Sequence, residues 1–269
     1  MKEIKIYKPG DGFLIHVTGM PGAGKTTLIG DMLLNEQQHG PCAYLFTKRE
    51  GNDDSGGWMV LPRVVLEEGS NTRIIFLETI GDVDTLFKDW KRNPLRALGV
   101  DTSTGFEQLI RKKITGSDTK PLRTTTGNFQ HKEFKENLQD YISDFREVAK
   151  YTILVSPAVP TAYNQESASN DTGLSGTSID ADKRFSPDGE NVDSRAKLLY
   201  LCDYAFHIKQ GEKSSGAIKD RTLWMQPSLK YNTKARLPLG RECANIVLDP
   251  IEGANWPKLK GAIEEVFRG

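Results

Sequence analysis

Apolar residues along this chain fall into short solid runs separated by amphipathic stretches. The runs Phe13 to Thr18, Ala43 to Thr47, Arg73 to Leu77, Leu95 to Val100, Tyr151 to Ser156, Tyr204 to Lys209, Thr222 to Pro227 and Ala244 to Leu248 read as strands. Several are apolar at successive positions rather than at alternate ones, the pattern of strands covered on both faces. Helical spacing is clearest in Lys132 to Lys150, where Phe134, Leu138, Tyr141, Ile142, Phe145 and Val148 share one stripe. It recurs in 26 to 36 (Leu28, Ile29, Met32, Leu33), in Gly105 to Ile114, and from Trp256 onward through Leu259, Ile263, Val266 and Phe267. Such stripes are core-facing. Strand and helix signals alternate, so the expected fold is α/β, with a mostly parallel central sheet and helices on both faces.

Three stretches interrupt the pattern. Residues 48–59 are polar and glycine-rich, and 115–131 mix Gly, Ser, Thr, Pro and Asn with scattered basic side chains. Residues 160–194 form a long Ser/Asn/Asp/Gly-rich segment, of a length that in a compact domain is usually functional or unstructured. No internal repeat or linker divides the chain, and a single domain spanning 1–269 is expected.

The first strand leads straight into Gly19-Met-Pro-Gly-Ala-Gly-Lys-Thr-Thr27, which fits the phosphate-loop pattern G-x-x-x-x-G-K-[ST] between a strand and a helix. The spacing has a chemical reason. Glycines let backbone N–H groups turn inward around phosphate oxygens, and the following helix directs its positive end at the anion. Gly19, Pro21, Gly22, Ala23, Gly24, Lys25, Thr26 and Thr27 are thus expected to hold a nucleotide, ATP with Mg²⁺. Lys25 would reach the β- and γ-phosphates, and the Thr26 hydroxyl would sit on the metal. A second metal-holding group should end a neighbouring strand. Asp101, closing the run Leu95-Arg-Ala-Leu-Gly-Val-Asp101, is that candidate; the alternative is that it caps the helix starting near Gly105. Glu50, after the second strand, is the candidate base that orients water, against the alternative of an exposed loop carboxylate.

Composition narrows the partners. The chain has 36 basic and 36 acidic residues, so contact with nucleic acid has to come from a local patch. Cys42, Cys202 and Cys243 are widely spaced, without metal-binding intervals, and read as ordinary reduced thiols. No signal-peptide core or membrane-length apolar stretch is evident, and a cytoplasmic protein is expected.

In its order of elements the chain resembles the RecA-like P-loop NTPases. More narrowly, it resembles the compact phage-type ATPases related to the single-strand-annealing proteins of phage recombination. The matching segments are Gly19 to Thr27, Thr47-Lys-Arg-Glu50-Gly51, Gly99-Val-Asp101-Thr-Ser103, Tyr151 to Ser156 and Lys234-Ala-Arg236-Leu-Pro238. They span roughly residues 10 to 245, and the glycine-loop match is the most specific. The chain departs from the family where Thr47, Lys48 and Arg49, rather than a carboxylate, precede Glu50. It departs again where Pro157 follows Ser156.

The resemblance implies an ATPase acting on single-stranded DNA in recombination, repair or replication, in the host cytoplasm if phage-encoded. It implies a homo-oligomer with sites at subunit interfaces, and a single-strand-binding protein as a further partner. Lys112, Lys113, Lys120, Arg123 and Lys132 fall where a first DNA-facing loop is expected, and Lys183 and Arg184 where a second is. Lys234 and Arg236 take the place of a basic pair presented to a neighbour's γ-phosphate, and Ser156 that of a γ-phosphate sensor. Two other classes share the glycine loop: a small-molecule (nucleoside or nucleotide) kinase, and a nucleotide-gated assembly or adaptor module without significant turnover.

Overall fold

The computed structural model describes residues 12–47, 60–117, 120, 122, 129–162, 183–187, 200–211, 220–226, 233–235 and 241–268. Six strands run parallel: β1 (Phe13–Gly19), β2 (Cys42–Thr47), β3 (Thr72–Leu77), β4 (Leu95–Asp101), β5 (Ala149–Ala162) and β7 (Tyr204–Gln210). Their order across the sheet is β3-β2-β4-β5-β1-β7. The remaining strands are antiparallel additions. β6 (Lys183–Pro187) returns along the end of β5, β8 (Arg221–Trp224) pairs with the second half of β7, and β9 (Lys234–Ala235) pairs with its start. β10 (Ile246–Val247) lies outside β8. The helices are α1 (Lys25–Glu36), α2 (Arg63–Leu66), α3 (Ile80–Trp90), α4 (Ser103–Thr115), α5 (Phe129–Val148) and α6 (Asn255–Arg268).

Strand pleating sorts neighbouring residues onto opposite faces. On one face, Leu14, Leu98, Val100 and Leu154 meet Phe87 and Trp90 of α3, Phe106 and Ile110 of α4, and Phe134, Leu138 and Phe145 of α5. On the other, Ile15, Val17, Ala97, Ile153 and Val155 meet Leu28, Ile29, Met32 and Leu33 of α1, Val65 of α2, and Trp256, Leu259 and Ile263 of α6. The expected α/β architecture, with a mostly parallel sheet and helices on both faces, is present.

The strands expected at 13–18, 43–47, 73–77, 95–100 and 204–209 stand within a residue or two of those bounds. The strands expected at 222–227 and 244–248 are shorter, Arg221–Trp224 and Ile246–Val247, and α2, α3, β6 and β9 add to the expected elements. Helix α3 follows β3 through a capping box, in which Thr79 Oγ1 accepts from Asp82 N and the Asp82 side chain accepts from Thr79 N. Its stripe is Ile80, Val83, Phe87 and Trp90. In addition, the polar stretch 160–194 contributes β-structure at both sides, because β5 continues to Ala162 and pairs with β6.

Helix α1 is fixed at both ends. Its loop end leaves β1 directly. In its second half Asp31 accepts from Gly253 N at 2.7 Å, Asn255 N at 3.1 Å and Asn255 Nδ2 at 2.8 Å. Glu36 accepts from Arg96 Nε at 2.6 Å, Lys260 Nζ at 2.7 Å and Trp256 Nε1 at 2.8 Å. Burial pulls the Glu36 pKa up, but donation from Lys260, Trp256 and Arg96 outweighs it and leaves the carboxyl below its ordinary value. In the middle, α1 lies close on β4 because Gly99 has no side chain. A Cβ there would come 2.2 Å from Ile29 Cγ2.

Candidate functional site

The glycine loop closes at the carboxyl end of β1, which lies between β5 and β7 in the sheet. Gly22 (φ 75°) and Gly24 (φ 97°) are in the left-handed region that side chains disfavour, which is the local reason for glycine at both places. A turn from Ala23 N to Met20 O (3.1 Å) folds the loop back, and Ala23 is buried beneath it. Gly24 is the N-cap of α1; no side chain caps the helix and no acid stands in its first turn. The first amide groups of α1 therefore face outward from a positive helix end. Lys25 is buried, and its ammonium donates to Gly19 O at 2.8 Å and Met20 O at 3.0 Å.

Beside the loop, Thr26 Oγ1 donates to Asp101 Oδ2 at 2.6 Å, and Tyr44 OH donates to the same oxygen at 2.9 Å. Asp101 does not cap α4. That role falls to Thr102, whose Oγ1 accepts from Gly105 N at 3.1 Å. The aspartate is left aimed at α1. Among the described residues no basic side chain pairs with it, and no group of three or more His, Cys, Asp or Glu side chains gathers to hold a metal. A magnesium ion here would have one carboxylate, one hydroxyl and the oxygens of its nucleotide and water, a donor set that suits Mg²⁺.

A buried polar row runs across the same strand ends. Thr18, Ser156 and His207 are in register on β1, β5 and β7. Thr18 Oγ1 lies 2.9 Å from His207 Nδ1 and donates to Phe206 O at 3.2 Å. Ser156, expected as a γ-phosphate sensor, is fully buried. Its Oγ is hydrogen-bonded to Ser103 Oγ and lies 2.6 Å from His16 Nε2. It therefore ties β5 to β1 and to the start of α4. Both histidines are held neutral. Burial lowers the pKa of His16 to about 4; burial and then the charge of Lys25 lower that of His207 to about 4.

The expected functional residues are distributed unevenly. Gly19 to Thr27 and Asp101 come together. Lys234 lies on β9 opposite Ala205, level with His16 and short of the loop, and donates to Tyr200 O at 2.8 Å and Cys202 O at 3.2 Å. Lys112 and Lys113 are exposed on the last turn of α4, with Lys113 Nζ 4.0 Å from Asp84. Lys132 is exposed near the start of α5, 3.7 Å from Glu136, and Lys120 is exposed. Exposed pairs of this kind hold their charges weakly. Lys183 and Arg184 belong to β6. Glu50, Arg123 and Arg236 lie outside the described residues.

Sequence reasoning missed Tyr44, His16, His207 and Arg221. Tyr44 reads as one more aromatic in an apolar run, and the histidines as isolated polar residues in strands. Arg221 opens β8, and its Nη1 lies 3.0 Å from where a Gly24 Cβ would stand.

The fold and site define an α/β protein with a glycine loop and an aspartate meeting at the carboxyl edge of its sheet. The chain matches no protein-family model, and no curated protein is similar to it at a significant level. No described helix is long and apolar enough to cross a membrane.

Proposed function

We propose that this chain is a RecA-like P-loop NTPase that binds ATP with Mg²⁺ and hydrolyses it while acting on single-stranded DNA in phage-type recombination, repair or replication. The observation that carries the reading is the 2.6 Å contact between Thr26 and Asp101, two residues distant in sequence that the fold brings together beside the glycine loop. The Asp101 carboxylate and the Thr26 hydroxyl would hold a metal ion there, which when bound would supply neutralisation of the charge that develops in phosphoryl transfer. Lys25 would exchange the carbonyls of Gly19 and Met20 for phosphate oxygens. The outward amides of α1 and the loop would bind the remaining oxygens at little reorganisation cost.

In this reading Glu50 polarises the attacking water, and Lys234 with Arg236 completes a neighbouring subunit's site. Lys112, Lys113, Lys120, Arg123 and Lys132 contact DNA phosphates. The hydrogen bonds of Lys234 to its own chain would have to open for it to reach across.

The test is the ATPase rate with and without Mg²⁺ and single-stranded DNA, together with the mass of the assembly in each state. A magnesium-dependent rate stimulated by DNA, accompanied by ATP-dependent oligomers, supports the reading. ATP binding with no turnover under any of these conditions would sink it in favour of a nucleotide-gated module. Transfer of the γ-phosphate to a nucleoside would sink it in favour of a kinase.

A further inference from the structure

The start of β8 stands over the glycine loop. β1 ends at Gly19, level with Ile208 of β7, and β7 runs two residues further, to Gln210. Arg221, the first residue of β8, pairs with Gln210. Both side chains reach the loop. Gln210 Nε2 lies 3.9 Å from where a Gly22 Cβ would stand, and Arg221 Nη1 lies 3.0 Å from where a Gly24 Cβ would stand. The backbone fixes this approach. The Arg221 carbonyl accepts from Leu248 N at 2.7 Å, and Asp220 O accepts from Gly211 N at 2.6 Å. Arg221 is half-buried, and among the described residues no carboxylate pairs with it. Three positive features therefore gather around the loop: the uncapped N-terminus of α1, the buried Lys25 ammonium and the Arg221 guanidinium. Like charges so placed repel one another, and an anion among them reverses the balance.

We propose that Arg221 is a catalytic residue: from the same subunit as the loop, it supplies a cation that neutralises the departing diphosphate in hydrolysis. The inference rests on the phosphate-loop reading above and adds a residue to its chemistry. In such a loop the amides cradle the inner phosphates and the lysine reaches the outer ones. A guanidinium beside Gly24 therefore meets the inner, leaving side. In the reaction the water oxygen bonds to the γ-phosphorus, and one water proton passes to solvent. The bond from that phosphorus to the bridging oxygen breaks, and its electron pair stays with the nucleoside diphosphate. Charge grows on that group as the bond breaks. A planar cation with paired donors stabilises the group more at that moment than in the bound substrate. Lys234, by contrast, is turned to Tyr200 O and Cys202 O at 2.8 and 3.2 Å. With Arg221, a single subunit holds the glycine loop, Asp101 and the cation.

The experiment measures ATP turnover at saturation, and ATP affinity by calorimetry, for the whole natural chain, Arg221→Ala and Arg221→Lys. Arg221→Ala is expected to lower turnover at least about 100-fold, with ATP affinity falling by less than about tenfold. Arg221→Lys keeps the charge without the planar fork and should fall between the two. Millimolar guanidinium should raise the rate of Arg221→Ala but not that of the natural protein, a rescue that a merely structural role would not produce. Mixing Arg221→Ala with Lys25→Ala should recover no activity, because each subunit then carries its own defect. The proposal is overturned by Arg221→Ala turning over within about threefold of the natural protein, by a loss confined to affinity, or by a rate that neither lysine nor guanidinium restores. Activity regained in the mixture overturns the same-subunit assignment. All these outcomes leave the phosphate-loop reading standing. Natural protein that binds no ATP, or binds it without turnover, overturns that reading and the Arg221 assignment with it.

Discussion

Along helix α1, buried carboxylates are partnered on opposite plans. Asp31 and Glu36, in its second half, are saturated: backbone amides and Asn255 on one, and Arg96, Lys260 and Trp256 on the other. Asp101, at the loop end, receives two hydroxyls on one oxygen and no cation from the described residues. A carboxylate with donors on both oxygens, as Asp31 and Glu36 have, stabilises structure, whereas one held through a single oxygen by two hydroxyls can turn to a metal. The contrast separates the part of α1 that holds the fold from the part on which the proposed function relies.

Lys25→Ala is the largest expected change. Removing the ammonium should lower turnover by at least about 100-fold while leaving the thermal midpoint within a few degrees of the natural protein, because the Lys25 hydrogen bonds to Gly19 O and Met20 O lie within its own loop. Steady-state ATPase rates and a melting curve measure both. Glu36→Ala should do the reverse. It strips the shared partner from Arg96, Lys260 and Trp256, and should lower unfolding free energy by about 3 kcal/mol in a urea titration, with little change in turnover per folded molecule. If the two substitutions affect rate and stability in the same proportion, the division of labour along α1 is wrong.

Gly99→Ala lies between these cases. Its methyl group would collide with Ile29 and push α1 off β4, costing about 1–3 kcal/mol and separating Thr26 from Asp101. Stability and magnesium dependence should both suffer. The buried histidines give a pH test. Their folded pKa values near 4 lie below the ordinary 6.5, so the unfolded chain binds more protons between those values. Stability is therefore complete above about pH 6.5 and falls as the pH drops toward 4. Urea midpoints at pH 7, 5.5 and 4.5 should decline in that order, and His16→Gln should flatten the decline. The smallest effect is at Lys132→Ala. Its exposed pair with Glu136 should contribute under about 0.5 kcal/mol, yet the substitution should weaken binding of single-stranded DNA, most visibly at low salt.

The central strands were readable because both of their faces are covered, so nearly every residue from Leu14 to Val17 or Ala43 to Leu45 is apolar. The meeting of the glycine loop with Asp101 was readable because each directly follows or ends a parallel strand, which puts both at one edge of the sheet. What escaped had weaker local marks. Helix α3 carried a capping box at Thr79 and Asp82 and a stripe from Ile80 to Trp90, a signal available but overlooked. Strand β6 had none, since Lys-Arg-Phe-Ser-Pro gains its pairing only from the continuation of β5. Arg221 sits beside Gly24 through sheet order, a relation that no short segment encodes. The hydroxyl of Tyr44 was hidden by its ring, which every pattern assigns to the core.

The latch at Asp31 and Glu36 makes helix α6 a structural guarantor of the glycine loop at the other end of α1. A clone cut before Asn255 would leave Asp31 with Gly253 N and Glu36 with Arg96, stripped of their Asn255, Trp256 and Lys260 donors, and would loosen the rod on which Lys25 and Thr26 are mounted. Failure of such a shortened protein to take up nucleotide would thus report a lost brace, even though the glycine loop itself was intact.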